Sequence, residues 1–578
     1  MVQYEDRWEV RHWRSLAVVD GGSGTAAHEP GGERLAVVGR DGTISVGSEA
    51  QALPSGAAEV THAAWVRGAL ALGTRPRTEE GGAPSHSARE LGVPAGTHER
   101  IWRLPLDGAP PVLMADLSPG TRLSSLTTGT GGDVIAGTYR AALGAAVPER
   151  RLLLVSAGGE VRDLAPELLG ATCDVAVGPD QEVALLQSDP EFPTWYSLLV
   201  GRDGAWQRVL PRELRIWGAP AWAPDRRLLT LTAFQGIRVG LVAIDIEDRR
   251  WRWLATEDSA SYRSPAVGPG GRHVVAVRRS IDGQVALLSV NEDGRERAAV
   301  TLSDPEVQCK AGKHLLRRWP RPEGEVEGIF VAPTEQDPPW PLVVDLHGGP
   351  VGALAVGDPN HLPAWCKQGF AVFAPDYRAS GILGREPMLA AFRGERPAGT
   401  DPVAGDVLSG IDSLVAEGLA DEAGLFLFGH SWGAYLVNRI VTRDHRFRAA
   451  VCWEGVSDLR LLDSLVGGSA MQRAWRGGSP QEAPERWNRD SPIELVERVR
   501  TPMLLVYGDD SELRPQGLAW YTALRDHDVP CSLVVYVGEG HLLTRPENKT
   551  DLFGRSAAWF RRHASGEGER GPSPAQAG

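Results

Sequence analysis

The chain of 578 residues is poor in the features that mark several large protein classes. It has only five cysteines, Cys173, Cys309, Cys366, Cys452 and Cys531, odd in number and scattered, with no CxxC or Cys/His spacing. A disulfide framework and a zinc site are therefore not expected. No apolar run reaches the 18 residues or so that a membrane-spanning helix needs. The first residues, MVQYEDRWEVRHW, are charged and lack an apolar core, so no secretory leader is expected and a cytoplasmic protein is the simplest reading. Cation excess is also missing. The formal net charge of −13 argues against binding to duplex nucleic acid or an anionic membrane. What remains, 42% apolar and 23% charged residues, is the balance of a globular protein. At this length one hydrophobic core does not suffice, and two or more domains are expected.

The two halves follow different patterns. Up to about residue 300, short β-type runs such as RLAVVGR, RLLLVSA and HVVAVRR alternate with glycine-rich turns, and no amphipathic helix stands out. The turn Gly178-Pro179-Asp180 recurs as Ala223-Pro224-Asp225 and as Gly268-Pro269-Gly270, its prolines 45 residues apart each time. A period of about 40–45 residues with roughly four strands per unit is the mark of propeller blades. A β-propeller of six or seven blades over 1–305 is expected in preference to a sandwich whose turns happen to align. Residues 75–99 look like a polar insertion between strands.

From about 320 the pattern becomes α/β. Buried-type strands (PLVVDLHGG, GFAVFAPDY, LFLFGHS, RAAVCWEG, MLLVYGDD, CSLVVYVG) alternate with helical stretches such as 402–417 and 432–442. This predicts a mostly parallel sheet covered by helices over 320–563. The Gly/Pro/Ser-rich tail, 564–578, reads as disordered.

Within that half, Gly429-His430-Ser431-Trp432-Gly433 fits G-x-S-x-G. Such a pentapeptide is unremarkable in a chain with 68 glycines, and its context carries the signal. A buried strand, LFLF, precedes it and a helix, AYLVNRIV, follows, as a strained nucleophile elbow requires. A serine hydroxyl needs a base, and histidine suits that task at neutral pH. His541 follows the strand CSLVVYVG, last in the order nucleophile, acid, base that this arrangement uses. His430 is expected to face away from the serine, and His445 and His527 to be solvated. The acid is expected at the end of MLLVYG, where Asp509, Asp510 and Glu512 are all near enough. The run Asp345-Leu346-His347-Gly348-Gly349-Pro350 occupies the place of an oxyanion loop, its glycines permitting close approach. The other N–H donor would be that of Trp432.

These stretches together, DLHGGP, FAPDYRAS, DVLSGIDSLVA, GHSWGAYL, GVSDL, TPMLLVYGDD and VGEGHLLTRPENK, resemble the prolyl oligopeptidase family of serine peptidases, its acylaminoacyl-peptidase-like branch above all. The resemblance implies an α/β-hydrolase domain capped by a β-propeller that restricts access to short or unstructured peptides. It implies Ser431 as nucleophile, His541 as base, and Gly349 and Trp432 as oxyanion-hole residues, with no cofactor. The family usually reads Gly-x-x-Asp followed by Val-Pro, whereas here Gly508 is followed by Asp509, Asp510 and Ser511 and then Arg514-Pro515. With one residue deleted from that loop, Asp510 takes the acid's place, Asp509 being the reserve. Trp432 and the sequence Tyr377-Arg378-Ala379-Ser380 are further departures. Trp453 and Glu454, at the end of a sheet strand where pocket residues could sit, are read as packing or a loop salt bridge in preference to specificity.

Three functions are carried forward. The first is a serine peptidase acting on short peptides or acyl-aminoacyl peptides through a Ser431, Asp510, His541 triad. The second is an esterase, acyl-transfer or cyclising enzyme using the same serine. The third is a catalytically degenerate protein whose propeller binds a partner. The expected partner is a peptide or acyl-amino-acid substrate, and a homo-oligomer is left open.

Overall fold

The structure, a computed structural model, describes residues between 25 and 564; up to 75 these are strand backbones alone, and thereafter the longest undescribed stretches are 76–98, 302–311 and 392–400. The expected insertion at 75–99 falls almost wholly, and the tail beyond 564 entirely, outside the described residues. The chain divides into two compact units, one built mainly from residues up to 303 and the other mainly from 304 onward.

Among the described residues the first unit is a series of six four-stranded sheets, spanning 25–51, 59–116, 121–163, 172–208, 221–255 and 260–301. Each is a meander of consecutive strands. The opening strand of every sheet lies against the opening strand of the next, which is the arrangement around a propeller's central axis. The 45-residue repeat corresponds to the first hairpin of the fourth, fifth and sixth sheets; the turns at Pro179, Pro224 and Pro269 lie outside the described residues. Strands 183–188 and 228–235 bury nearly every residue, which is why they read as continuous apolar runs.

Among its described residues the second unit holds one eight-stranded sheet. Its strands are β1 (Gly312–Arg321), β2 (Gly324–Pro333), β3 (Trp340–Leu346), β4 (Ala371–Pro375), β5 (Ala420–His430), β6 (Ala449–Trp453), β7 (Met503–Gly508) and β8 (Cys531–Tyr536), in the order β1-β2-β4-β3-β5-β6-β7-β8. β2 pairs antiparallel with β1 and with β4; every other pairing is parallel. This is the α/β-hydrolase sheet, and it begins at Gly312, ahead of the expected 320. The helices are α1 (Leu362–Lys367), α2 (Pro402–Ala416), α3 (Trp432–Val441), α4 (Leu459–Leu465), α5 (Ala470–Arg476), α6 (Pro484–Asp490), α7 (Arg514–Asp526) and α8 (Pro546–Ala564).

Local chemistry sets these elements. The Asp401 side chain caps α2 by accepting from the Ala404 N–H at 3.3 Å, and Pro402 opens the helix where its missing N–H costs nothing. Val403, Val407, Ile411 and Leu414 then recur at helical spacing on its buried face. Beneath the sheet, Trp365, Phe370, Phe426, Phe428 and Phe560 form an aromatic cluster with edge and tilted contacts of 4.8–6.0 Å. Among the described residues, no helix is long and apolar enough to cross a membrane.

Candidate active site

The parallel register brings four strand ends into line. Leu346 of β3 pairs with Gly429 of β5, His430 with Trp453 of β6, and Trp453 with Val506 of β7. The residues that follow those ends, His347-Gly348, Ser431 and Glu454, therefore emerge side by side at the carboxyl edge of the sheet, where open α/β sheets place their ligands.

Ser431 sits between β5 and α3 with φ 57° and ψ −119°, a conformation that a residue with a Cβ adopts only at a cost. Its N–H donates to the Trp453 carbonyl at 2.9 Å, and its own carbonyl accepts from Tyr435 at 2.9 Å. The glycines of the pentapeptide are obligatory. A Cβ on Gly433 would lie 2.0 Å from the Leu346 carbonyl oxygen, and one on Gly429 2.5 Å from the Gly433 carbonyl carbon. Strand and helix can approach this closely only without side chains at both places.

The structure brings His541 to this serine: its Nε2 lies 3.0 Å from Ser431 Oγ. The loop that carries His541 is held from two sides. His430 Nε2 lies 3.0 Å from the His541 carbonyl oxygen and ties the backbone there. Glu539, with 1% of its surface exposed, accepts from the N–H groups of Thr544 and Arg545, the Thr544 hydroxyl and the Asn548 amide at 2.6–3.1 Å. Burial alone would raise its carboxyl, but these hydrogen bonds outweigh burial and bring it down to about 2.

The His347-Gly348-Gly349 loop is also tied down. A Cβ on Gly348 would meet the His430 carbonyl oxygen at 2.9 Å and Ser431 Cβ at 3.2 Å, so its backbone passes directly beside the serine. Gly349 has φ +70°, which glycine alone adopts readily. Behind them the Tyr377 ring stacks on His347 at 4.2 Å, and its hydroxyl donates to the His347 carbonyl at 2.6 Å. Burial and the neighbouring Asp376 push that phenol well above its usual range. Asp376 lies 3.4 Å from His347 Nε2 and accepts from Ser380 Oγ at 2.6 Å. Arg378 in turn is locked to Asp406 of α2. The motifs DYRAS and DVLSG thus buttress the His347-Gly348-Gly349 loop. Trp432 opens α3, where helix N–H groups point outward from the N-terminus, and its ring packs on Tyr435 at 4.2 Å.

The expected acid is not brought to the base. Asp510 is exposed, and its N–H donates to the Glu539 carbonyl at 3.0 Å. The Asp509 carboxylate accepts from the Gly538 N–H at 2.6 Å. The reason lies at Gly508, where a Cβ would stand 2.1 Å from the Glu539 carbonyl oxygen. β7 presses on the His541 loop there, and the Asp509 carboxylate and the Asp510 N–H are engaged with that loop. The carboxylate facing His541 is instead that of Glu454, fully buried, with Oε2 3.4 Å from Nδ1. The sequence reading of Glu454 is packing or a loop salt bridge, not a partner of the histidine. The signal that pointed to it was the serine standing where the family pattern has an aspartate.

A family model described as the prolyl oligopeptidase family matches residues 358–567, a span that includes Ser431, Glu454 and His541. The acylamino-acid-releasing enzyme of Homo sapiens is 28% identical over 381 residues, covering 59% of this chain and 49% of that enzyme. The dipeptidyl aminopeptidase BIII of Pseudoxanthomonas mexicana is 24% identical over 347 residues, 54% of this chain and 49% of its own. This chain thus spans about half the length of these two relatives. Among solved structures, the uncomplexed acylaminoacyl peptidase of Pyrococcus horikoshii superposes with a TM-score of 0.76 at 17% identity, covering 95% of this chain and 89% of that one. A puromycin-hydrolyzing peptidase of Mycobacterium tuberculosis gives 0.63 at 18% identity, covering 92% and 85%. These likenesses show a shared fold, a β-propeller followed by an α/β-hydrolase unit. Residues 358–567, which carry the elbow and His541, are thus similar to the prolyl oligopeptidase family model.

Proposed function

We propose that the protein is a serine peptidase that hydrolyses short peptides or acyl-aminoacyl peptides through an acyl-enzyme on Ser431. Ser431 Oγ attacks the scissile carbonyl carbon while His541 Nε2 takes its proton. The oxyanion that forms is stabilised by the N–H groups of Gly349 and Trp432. The imidazolium returns the proton to the departing amine, and water, activated by the same base, hydrolyses the ester.

The observation that carries this reading is the 3.0 Å approach of His541 Nε2 to Ser431 Oγ on a strained elbow. A degenerate scaffold would have no need to retain a serine at φ 57° between two glycines that must stay glycine. The sequence likeness to enzymes named for releasing acylamino acids supports the substrate class. Initial rates on acetyl-aminoacyl and aminoacyl p-nitroanilides, set beside simple p-nitrophenyl esters, test it. Hydrolysis of anilides by the wild type but not by Ser431→Ala is expected. Turnover of esters alone would replace the peptidase reading by an esterase or acyl-transfer one.

A further inference from the structure

We infer that Glu454, supplied from the end of β6, is the positioning residue that orients His541, and that Asp510 has no part in the triad. The inference rests on the serine-hydrolase reading of Ser431 and His541 and adds to it the origin of the acid.

Four observations converge on Glu454. It is the acid in contact with the base: Oε2 faces Nδ1 at 3.4 Å, on the side of the ring opposite to the Nε2 that meets Ser431. A carboxylate there fixes the proton on Nδ1, leaves Nε2 free to accept from the serine, and balances the imidazolium. Hydrogen bonds in such sites shorten once charge develops on the base.

The carboxylate is also held as a preorganised acid must be. Oε1 accepts from the Gly508 N–H at 2.6 Å, Oε2 accepts from the Ser511 hydroxyl, and the Glu454 N–H donates to the Val506 carbonyl at 2.8 Å. No part of the Glu454 side chain is exposed, whereas the His541 side chain keeps 43% of its surface exposed. A fully buried carboxylate needs a positive partner or several donors, and here the donors and the imidazole are what surround it.

The backbone is strained at the same place. Glu454 has φ 55°, the left-handed region that a glutamate adopts only when its surroundings force it. That conformation turns the side chain back over the end of β7. The glutamate's extra methylene, compared with aspartate, lets a residue at the end of β6 reach a histidine that follows β8.

The fourth observation is the exchange at Ser511. It stands three residues after Gly508, the place where the resembling family carries aspartate, and its hydroxyl donates to Glu454 rather than to the imidazole. Two carboxylates could not share that buried spot without mutual repulsion. A glutamate at 454 and a serine at 511 are therefore one arrangement, and an aspartate at 511 with a small residue at 454 would be the other. The acid has moved one strand across the sheet while nucleophile and base stay in place.

The test is the second-order rate of inactivation by a fluorophosphonate, which reads serine activation whatever the natural substrate. Wild-type protein that fails to react would strike down the hydrolase reading itself, a different outcome from those that follow. Glu454→Gln keeps an oxygen for the Gly508 N–H but presents an amide to Nδ1. It should slow inactivation by about 10³–10⁴-fold, as loss of a triad acid does. With a p-nitroanilide the loss should fall on kcat and leave KM within about twofold. A residue that only supported the fold would give no such split, and unchanged thermal unfolding checks that the variant is folded. Glu454→Asp should recover part of the rate. Ser511→Asp alone should be impaired, and Glu454→Gly combined with Ser511→Asp should react at least about tenfold faster than Glu454→Gly, because the acid is restored from β7. Asp510 is exposed, and Asp510→Asn, checked by its thermal unfolding, should react within about threefold of wild type. A hundredfold loss in Asp510→Asn, or a folded Glu454→Gln that reacts within threefold of wild type, would overturn the inference.

Discussion

Asp406 offers the most demanding test of how this site is supported. Its carboxylate, 1% exposed, accepts five hydrogen bonds: two from Arg321 Nη1 and one each from the N–H, Nε and Nη2 of Arg378, all at 2.7–2.9 Å. Arg321 is itself only 4% exposed and Arg378 14%. Asp406→Asn would leave two buried guanidinium groups facing a neutral amide whose NH₂ end repels them. Removing one member of a buried ion pair typically costs roughly 3–5 kcal/mol. For a unit of this size each kcal/mol corresponds to about 2–4 °C in Tm, so the hydrolase transition should fall by roughly 6–20 °C. Calorimetry that resolves the two units is the assay, with the propeller transition as internal reference. The kinetic consequence is separate. Arg378 follows Tyr377, whose hydroxyl holds the His347 carbonyl, so the oxyanion loop should loosen and fluorophosphonate reaction at Ser431 should slow by at least about tenfold. A hydrolase Tm within 3 °C of wild type would refute the claim that this cluster is a mainstay of the unit.

Other outcomes follow from the same geometry. Gly433→Ala puts a methyl 2.0 Å from a backbone carbonyl oxygen, and the elbow must open to accept it; fluorophosphonate reaction should fall at least about a hundredfold, and a rate within tenfold of wild type would contradict the tight approach. Glu539 lies below its unfolded value, about 2 against 4.5, so its stabilisation is complete above about pH 5 and is lost as pH falls towards 2. Glu539→Gln should therefore lower the hydrolase Tm at pH 7, and a pH series of melts should show the gap to wild type closing between 4.5 and 2; a gap independent of pH would contradict it. Tyr377→Phe removes the donor to the His347 carbonyl and should reduce kcat/KM several-fold with little change in Tm, since the stacked ring stays.

Much of this fold was readable because its strands are buried on both faces and its turns are punctuated. β3 and β7 bury almost every residue, as β5 does from Gly424 to Gly429, so they appear as continuous apolar runs between glycine-rich loops. The elbow was readable for the same reason, since steric exclusion at Gly429 and Gly433 leaves a local signature. β1 and β2 were not anticipated. Residues 312–321, GKHLLRRWPR, carry three arginines and a proline on an edge strand, and nothing in that composition separates it from a loop. The acid escaped for a deeper reason. Which carboxylate meets an imidazole depends on the ends of β6, β7 and β8 together, a relation that no single segment encodes. Asp509 and Asp510 have the right sequence distance from His541, yet their N–H groups are committed to the Tyr536 and Glu539 carbonyls. The positive φ of Glu454 turns its carboxylate towards the imidazole, and a backbone angle of that kind is not a matter of composition.

The central claim, that Ser431 is a nucleophile activated by His541, is tested most directly by mass spectrometry after reaction with a fluorophosphonate. The account predicts one adduct per chain, carried on Ser431, absent from Ser431→Ala and formed far more slowly in His541→Ala. An adduct located elsewhere, or equal labelling of wild type and Ser431→Ala, would contradict it.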